Sequence, residues 1–483
     1  MINKTSNVKP ERQALIEDGR PPTRHEGKGS NVIAYMHLVC VVAGSGTLGM
    51  SYAISQGGWV SVSLLILAGI MSAYSNNKLI ESLYYNSQTR RSSLSHIAQD
   101  AFGKAGTYFV SFLYVVIQFG CPILYLILSS DNLKILLTKT GIDISVNSWI
   151  LICGITICVP FVFIKNLKEG AWLRQDFEKD NSIMVISNKG YLNKNFAVGD
   201  TLFFGALSTA LVVFVVCIIS LMEYPHNRSN EHDFVNIRNI PIAMATFNFG
   251  YGGNVIYPNI EAGYVGVWRT SDEKCWREVG GGSVFGVGVM RMFGSMRTPA
   301  SWPRVNALAM ITVTAFYLLI GIPGYLTYGH STHSPIYNNL PAGISVTLSI
   351  AMITIHVLLA LPIYLTSFAL DIEKLFKIDK SVIGARNEFA YRVLLRVLLM
   401  SFVIWVAVSV PFFADWMSFL GAMANGLLII VVPVVIWVKL VGWEQVKLGE
   451  RLWIVASLGI SIVGACVGTW DAVVALWKDI ANG

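Results

Sequence analysis

The stretch "HLVCVVAGSGTLGM", His37 to Met50, decides the fold. It begins as an apolar helix, and then Gly44, Ser45, Gly46 and Gly49 interrupt it where an unbroken apolar run would be simpler. Each glycine weakens a helix interior by about 1 kcal/mol relative to alanine. A break frees backbone N–H and C=O groups that lipid cannot satisfy, so a broken span persists only where protein or a polar cavity supplies partners. A backbone-lined ligand site is built in this way, and Ala43, Gly44, Ser45, Gly46 and Thr47 are its first candidate residues.

Outward from this stretch, the 483-residue chain is 54% hydrophobic and only 13% charged. Its mean hydropathy of +0.55 means far more apolar surface than one soluble core needs. The reading is an all-α polytopic membrane protein. Apolar stretches of about 20 residues, enough to cross a bilayer core, recur near 32–53, 58–80, 107–129, 149–164, 201–222, 239–258, 305–328, 343–369, 390–410, 416–438 and 451–477. These eleven spans form one membrane domain over residues 32–477. Residues 1–31 are polar, lack the apolar core of a signal peptide, and read as a disordered cytosolic tail.

Lysine and arginine collect on cytoplasmic loops. The tail carries Lys4, Lys9, Arg12, Arg20, Arg24 and Lys28, and the even loops carry Arg90 and Arg91, Lys165 and Lys168, Arg297 and Arg304, Lys374, Lys377 and Lys380, then Lys439, Lys447 and Arg451. The odd loops are poor in both residues, and the sequon Asn227-Arg228-Ser229 falls among them. The expected orientation has the N-terminus inside. This bias accounts for the net charge of +7 and calls for no nucleic-acid partner. Of the seven cysteines, all but Cys275 sit in apolar spans, where packing is their expected role.

The sixth span, "IPIAMATFNFGYGGNVIYPNIEA", repeats the oddity of the first, with Gly250, Gly252 and Gly253 inside it and Pro258 near its end. If spans 1–5 and 6–10 are inverted repeats, an odd number of spans per half makes the halves opposite in topology. Interrupted helices at matching places in two halves point to a transporter's central site. A zwitterionic amino acid suits it: its carboxylate would lie against the amides of Gly44 to Thr47, its ammonium against carbonyls near Phe249 and Gly250, and its side chain towards Phe247, Phe249 and Tyr251. Close packing of helices through small residues is the plainer reading of either glycine cluster alone.

Here the chain resembles the amino acid/auxin permease family. The matching residues are "HLVCVVAGSGTLGMSYAISQGGW" (37–59), "AFG" (101–103), "FNFGYGGNVIYPNIEA" (247–262), "SMRTPASWPR" (295–304), "GIPGYLTYG" (321–329) and "PFFADWMSFLGA" (411–422). The resemblance implies the leucine-transporter type of fold, a five-plus-five inverted repeat with an eleventh transmembrane helix. It also implies secondary transport of amino acids, commonly driven by a proton gradient, with no cofactor.

In proton-coupled members of that family a histidine stands seven residues before the glycine motif, as His37 does before Gly44. Seven residues are almost two turns, about 10 Å along the axis, so both share a helix face. An imidazole titrates near neutrality, and ionisable residues in spans are functional candidates by default. The other reading of His37 is an interfacial or packing residue. His356 in span 8 reads as a second proton group or as a buried histidine bonded to a backbone carbonyl. Gln118 and Tyr125 in span 3 line the cavity or bond a neighbouring helix, and Glu261 and Asp415 sit at span ends as caps or ion-pair partners.

Two stretches depart from the resemblance, near 170–198 and 263–294, where the family runs almost directly from one span to the next. Without residues 263–294 the chain reads "YPNIEASMRTPASWP". We expect atypical cytoplasmic insertions here, either real loops or translated introns, the latter giving a non-functional product. No paired acids, metal spacing or nucleophile motif marks an enzyme, and no pore-lining rings mark a channel. The expected function is a neutral amino acid and proton symporter working by alternating access at the plasma membrane or a vacuolar or endosomal one, with an amino acid sensor of the same fold as the alternative. Substrate and bilayer are the expected partners, and oligomeric state is left open.

Overall fold

The computed structural model describes residues 31–85, 91, 93–138, 140–163, 196–254, 257–258, 301–378 and 380–482. The tail up to residue 30, Glu261, the whole of 263–294 and residues 170–195 of the first insertion lie outside the described residues. Among the described residues every regular element is helical.

The first expected span is broken. Asn31–Val42 is helical, Ser45–Gly49 forms a 3-10 turn, and Met50–Gly57 resumes the helix, with a bend of 42° between the halves. Span 6 is helical over only Ile240–Gly250 before its glycines. The remaining spans are Val60–Leu83, Leu94–Thr138, Val146–Phe163, Phe196–Glu223, Trp302–Tyr328, Ile344–Leu375, Ala385–Ser409, Phe413–Val441 and Leu448–Asn482. Nine described helices are long and apolar enough to cross a bilayer, ten with the bent pair.

Span 3 starts earlier than its apolar run. A lead-in helix from Leu94 meets Gly103, whose φ of 66° and ψ of −151° turn the chain before the membrane stretch begins. Only glycine takes up such a conformation at little cost. Span 10 departs from α geometry, with π-helical turns over Gly421–Asn425 and Leu427–Val431. A π turn leaves carbonyls out of register with their donors. Ser75 of span 2 donates to Ile429 O at 2.5 Å, and the Asn254 side-chain amide of span 6 donates to Leu428 O. A Cβ at Gly421 would stand 1.9 Å from Ala245 O, so span 10 lies directly on the span 6 backbone.

Packing sorts the spans into two groups. Spans 1, 2, 6 and 7 contact one another, as do spans 3, 4, 8 and 9, and the long contact of span 3 with span 8 runs through the second group. Span 5 flanks the junction against spans 1, 7 and 8, and span 10 flanks it against spans 6, 2 and 3. Exchanging each span for the one five places along turns the first set of neighbours into the second. An inverted repeat of five spans produces this pattern, with the broken spans 1 and 6 facing each other at its centre.

The second group is tied by charge. Arg396, with no exposed surface, donates from Nε to Glu373 at 3.0 Å and from a terminal nitrogen to Phe161 O at 2.8 Å, joining spans 9, 8 and 4. One turn earlier, Arg392 is bonded to Glu388. Span 11 is held differently: Lys78 of span 2 pairs with Glu450 at 2.9 Å and lies 3.9 Å from the Trp437 ring centroid.

Candidate functional site

The break in span 1 follows from its backbone bonds. Ala43 N–H closes the last α turn on Val39 O at 2.8 Å, Gly44 N–H turns back to Val42 O at 2.8 Å, and Thr47 N–H reaches Gly44 O at 3.1 Å. Gly44 lies at φ −104°, ψ −142°, outside helical space. The N–H groups of Ser45 and Gly46 therefore stand at the start of a new helical turn, where no carbonyl of that turn can receive them. In span 6, Tyr251 N–H bonds Phe247 O at 2.9 Å and Gly252 N–H bonds Phe249 O at 3.0 Å, after which the helix stops.

The two breaks touch. A Cβ placed on Gly46 would be 2.7 Å from Gly250 Cα and 3.3 Å from Phe249 Cδ1, so this contact admits only glycine at position 46. A Cβ at Gly44 would meet nothing within 4 Å. Gly44 thus borders open space beside the orphan amides. Thr47 is 1% exposed, and its hydroxyl has no hydrogen-bond partner among the described residues.

Three tyrosines frame the centre. The Tyr317 hydroxyl of span 7 donates towards Val42 O at 2.9 Å and Gly250 O at 2.6 Å, bridging the carbonyls at both breaks. From the opposite group, the Tyr125 hydroxyl faces Ser45 and Tyr364 of span 8, and the rings of Tyr125 and Tyr364 meet edge to face at 5.8 Å. The third, Tyr251, is turned inward: its hydroxyl bonds Thr314 at 2.8 Å and Leu65 O at 3.2 Å. Its ring packs 5.2 Å from that of Tyr317. Of the candidates read from the sequence, Gly44, Ser45, Gly46, Thr47, Phe249 and Gly250 converge. Ala43, Phe247 and Tyr251 are almost fully buried within the helix packing.

His37 is 7% exposed and sits in the buried half of span 1. A Cβ at Gly205 of span 5 would lie 2.5 Å from the His356 ring and 3.2 Å from Cys40 Sγ. His356 therefore faces span 1 at Cys40, one turn from His37 on the same helix face. Gln118, also 7% exposed, shares the Tyr125 face of span 3, and its side-chain carbonyl has no hydrogen-bond partner among the described residues. Asp415 lies beside Asp479 of span 11, away from the breaks. No group of three potential metal ligands occurs among the described residues.

A cover lies over the break. Ile336–Asn339, between spans 7 and 8, packs against Ser45–Gly49 on the face opposite residue 31. Its Tyr337 hydroxyl bonds Asn132 of span 3, and Asn132 donates to Thr354 of span 8 at 2.8 Å.

The sequence model of the family "Transmembrane amino acid transporter protein" matches residues 27–264 and 285–474. The chain belongs to that family. Residues 265–284, which the family model passes over, fall inside the second atypical segment. Amino acid transporter AVT1C of Arabidopsis thaliana is 23% identical over 98% of this chain and 74% of its own length. Amino acid transporter AVT1H of the same plant is 23% identical over 90% of this chain and 86% of its own length. The vesicular GABA transporter of Caenorhabditis elegans is 22% identical over 83% and 70%. Among solved structures, Mhp1, a nucleobase-cation-symport-1 family transporter in a closed conformation, aligns over 97% of this chain and 96% of its own at 13% identity and a TM-score of 0.48. A manganese transporter of Eremococcus coleocola aligns over 93% and 88% at 8% identity, also with a TM-score of 0.48. This family member is accordingly a multi-pass integral membrane protein whose similar proteins are transporters.

Three features of the site were missed in the sequence: Tyr317, Tyr364 and the cover at Tyr337. Each is a tyrosine in or beside an apolar stretch, and the one available signal was that its hydroxyl, once buried, needs a partner.

Proposed function

We propose that the protein moves neutral amino acids across a membrane by alternating access, as a proton symporter. The observation that carries this reading is the contact of the two breaks, which sets orphan amides of Ser45 and Gly46 beside the carbonyls of Val42 and Gly250. Amides at a helix start favour an anion, and carbonyls at a helix end favour a cation. A free amino acid carries both charges on groups attached to one carbon. Residues 43–50 and 247–254 contain no charged side chain, which fits a substrate whose own side chain is neutral.

The junction between the two groups of spans is the plane of movement. Ser45 and Tyr125 face each other across the groups with neutral side chains, a contact that substrate and rearrangement can exchange, while the cover at Tyr337 closes the side opposite residue 31. His356 packs at Gly205 of span 5 beside Cys40, one helical turn along span 1 from His37. A proton taken up there would be carried with the substrate, from the acidic to the neutral side. The names of the similar proteins support amino acids as cargo, and the vesicular GABA transporter among them favours an internal membrane. The Lys and Arg distribution then sets the N-terminus in the cytosol.

The test is reconstitution into liposomes with an imposed pH gradient and a labelled mixture of neutral L-amino acids. The reading expects accumulation that follows the proton gradient, collapses with a protonophore and loses its gradient dependence in His37→Gln or His356→Gln. Accumulation indifferent to the gradient would remove the proton coupling. Binding of the mixture without any movement would leave a sensor.

A further inference from the structure

Tyr317 poses an unusual count of donors and acceptors. It is fully buried, and one hydroxyl oxygen lies 2.9 Å from Val42 O and 2.6 Å from Gly250 O. A tyrosine has one proton to give. Val42 O also receives Gly44 N–H, so it has a partner when the Tyr317 proton points to Gly250 O. The ring packs beside Tyr251, which Thr314 and Leu65 anchor, and beside Gly250. The hydroxyl is thus held where the ends of two interrupted helices converge, in a region without lipid or bulk water to satisfy them.

These two carbonyls are the acceptors that the proposed function gives to the substrate ammonium, and the present inference rests on that reading. An ammonium brings three donors against the one of Tyr317. We propose that the Tyr317 hydroxyl is the empty carrier's stand-in for the substrate ammonium: it bridges the two breaks when no substrate is bound, yields the carbonyls when an amino acid arrives, and makes return of the empty carrier possible. Without it, the empty state loses the donor to Gly250 O in a buried centre, a state that a symporter must pass through on every net cycle. The loaded state does not need it.

This separates two activities that a merely structural tyrosine would affect alike. Net uptake requires the empty carrier to return, whereas exchange of internal for external substrate does not. Full-length wild type and Tyr317→Phe are reconstituted into proteoliposomes, and an equimolar labelled mixture of L-alanine, L-leucine, L-isoleucine and L-tyrosine is supplied outside. Half the vesicles are preloaded with the same unlabelled mixture. The expected result for Tyr317→Phe is a ratio of net uptake to exchange at least about fivefold below that of wild type. Equal loss of both, or no loss of either, overturns the proposal. Wild-type vesicles with neither activity would instead remove the transport reading on which it rests.

Should Tyr317→Phe yield no folded protein, the wild type itself gives a second readout. Adding the four amino acids to purified protein should shift its near-ultraviolet tyrosine absorption as the hydroxyl changes partner, while their N-acetyl derivatives, which lack the ammonium, should not. Identical spectra with both sets overturn the proposal.

Discussion

The centre of the molecule and the foot of its second helix group solve one problem in opposite ways. Both bury polar atoms in a membrane. At the foot, Arg396, Glu373 and the Phe161 carbonyl meet as fixed charge and acceptor across spans 9, 8 and 4. At the centre, the freed carbonyls of spans 1 and 6 meet the neutral hydroxyl of Tyr317, and the Ser45 side chain faces that of Tyr125. A buried charge pair is hard to open, since removing one member strands the other. A neutral hydrogen bond contributes only about 0.5–1.5 kcal/mol net, and a ligand can replace it. The group that holds still is charged inside, and the part that must exchange partners is not.

The largest effect is expected at the foot. Arg396→Met leaves Glu373 without its cation and should lower stability by about 3–5 kcal/mol, read as a drop in Tm in detergent. Adding Glu373→Gln should recover much of that loss, because the stranded charge is gone. A double variant no better than the single one would contradict the charge-clamp account.

Next comes the contact of the breaks. Gly46→Ala sets a methyl 2.7 Å from the Gly250 backbone, and overpacking of this kind costs about 1–3 kcal/mol. Transport should fall at least tenfold, while Gly44→Ala, whose methyl meets nothing within 4 Å, should leave Tm unchanged within a degree or two. Uptake and thermal unfolding of the two variants side by side would show whether position or glycine as such matters. Equal effects at the two sites would break the comparison.

The smallest effect belongs to the hydroxyl between the groups. Tyr125→Phe deletes the hydroxyl that faces Ser45 and Tyr364, a change of about 1 kcal/mol. A rise of roughly fivefold in apparent KM with little change in Tm follows from that magnitude. A fall in Tm with KM untouched would make Tyr125 a packing residue only.

Both breaks were legible in the sequence, because "GSGTLG" and "GYGG" interrupt apolar runs that otherwise have no reason to stop. The partners of those breaks were not. Tyr317 lies 275 residues from Val42 and 67 from Gly250, and no local periodicity links a lone tyrosine in an apolar helix to carbonyls so far along the chain. Span 3 was read as starting near 107 because hydropathy marks the membrane stretch, while the helix itself begins at Leu94 on an amphipathic lead-in that turns at Gly103. The π turns of span 10 leave no trace in "GAMANGLLIIV", since they arise from the close approach of Gly421 to Ala245 and from donors on spans 2 and 6. Breaks are written locally in glycine, whereas the groups that satisfy them are fixed only by packing.

The most direct test of the central claim is a structure of the protein with the neutral amino acid mixture present. The account predicts density between the two breaks, with a carboxylate within hydrogen-bond reach of the Ser45 and Gly46 amides and an ammonium against Val42 O and Gly250 O in place of the Tyr317 hydroxyl. Substrate bound elsewhere, or bound with Tyr317 still bridging both carbonyls, would contradict it.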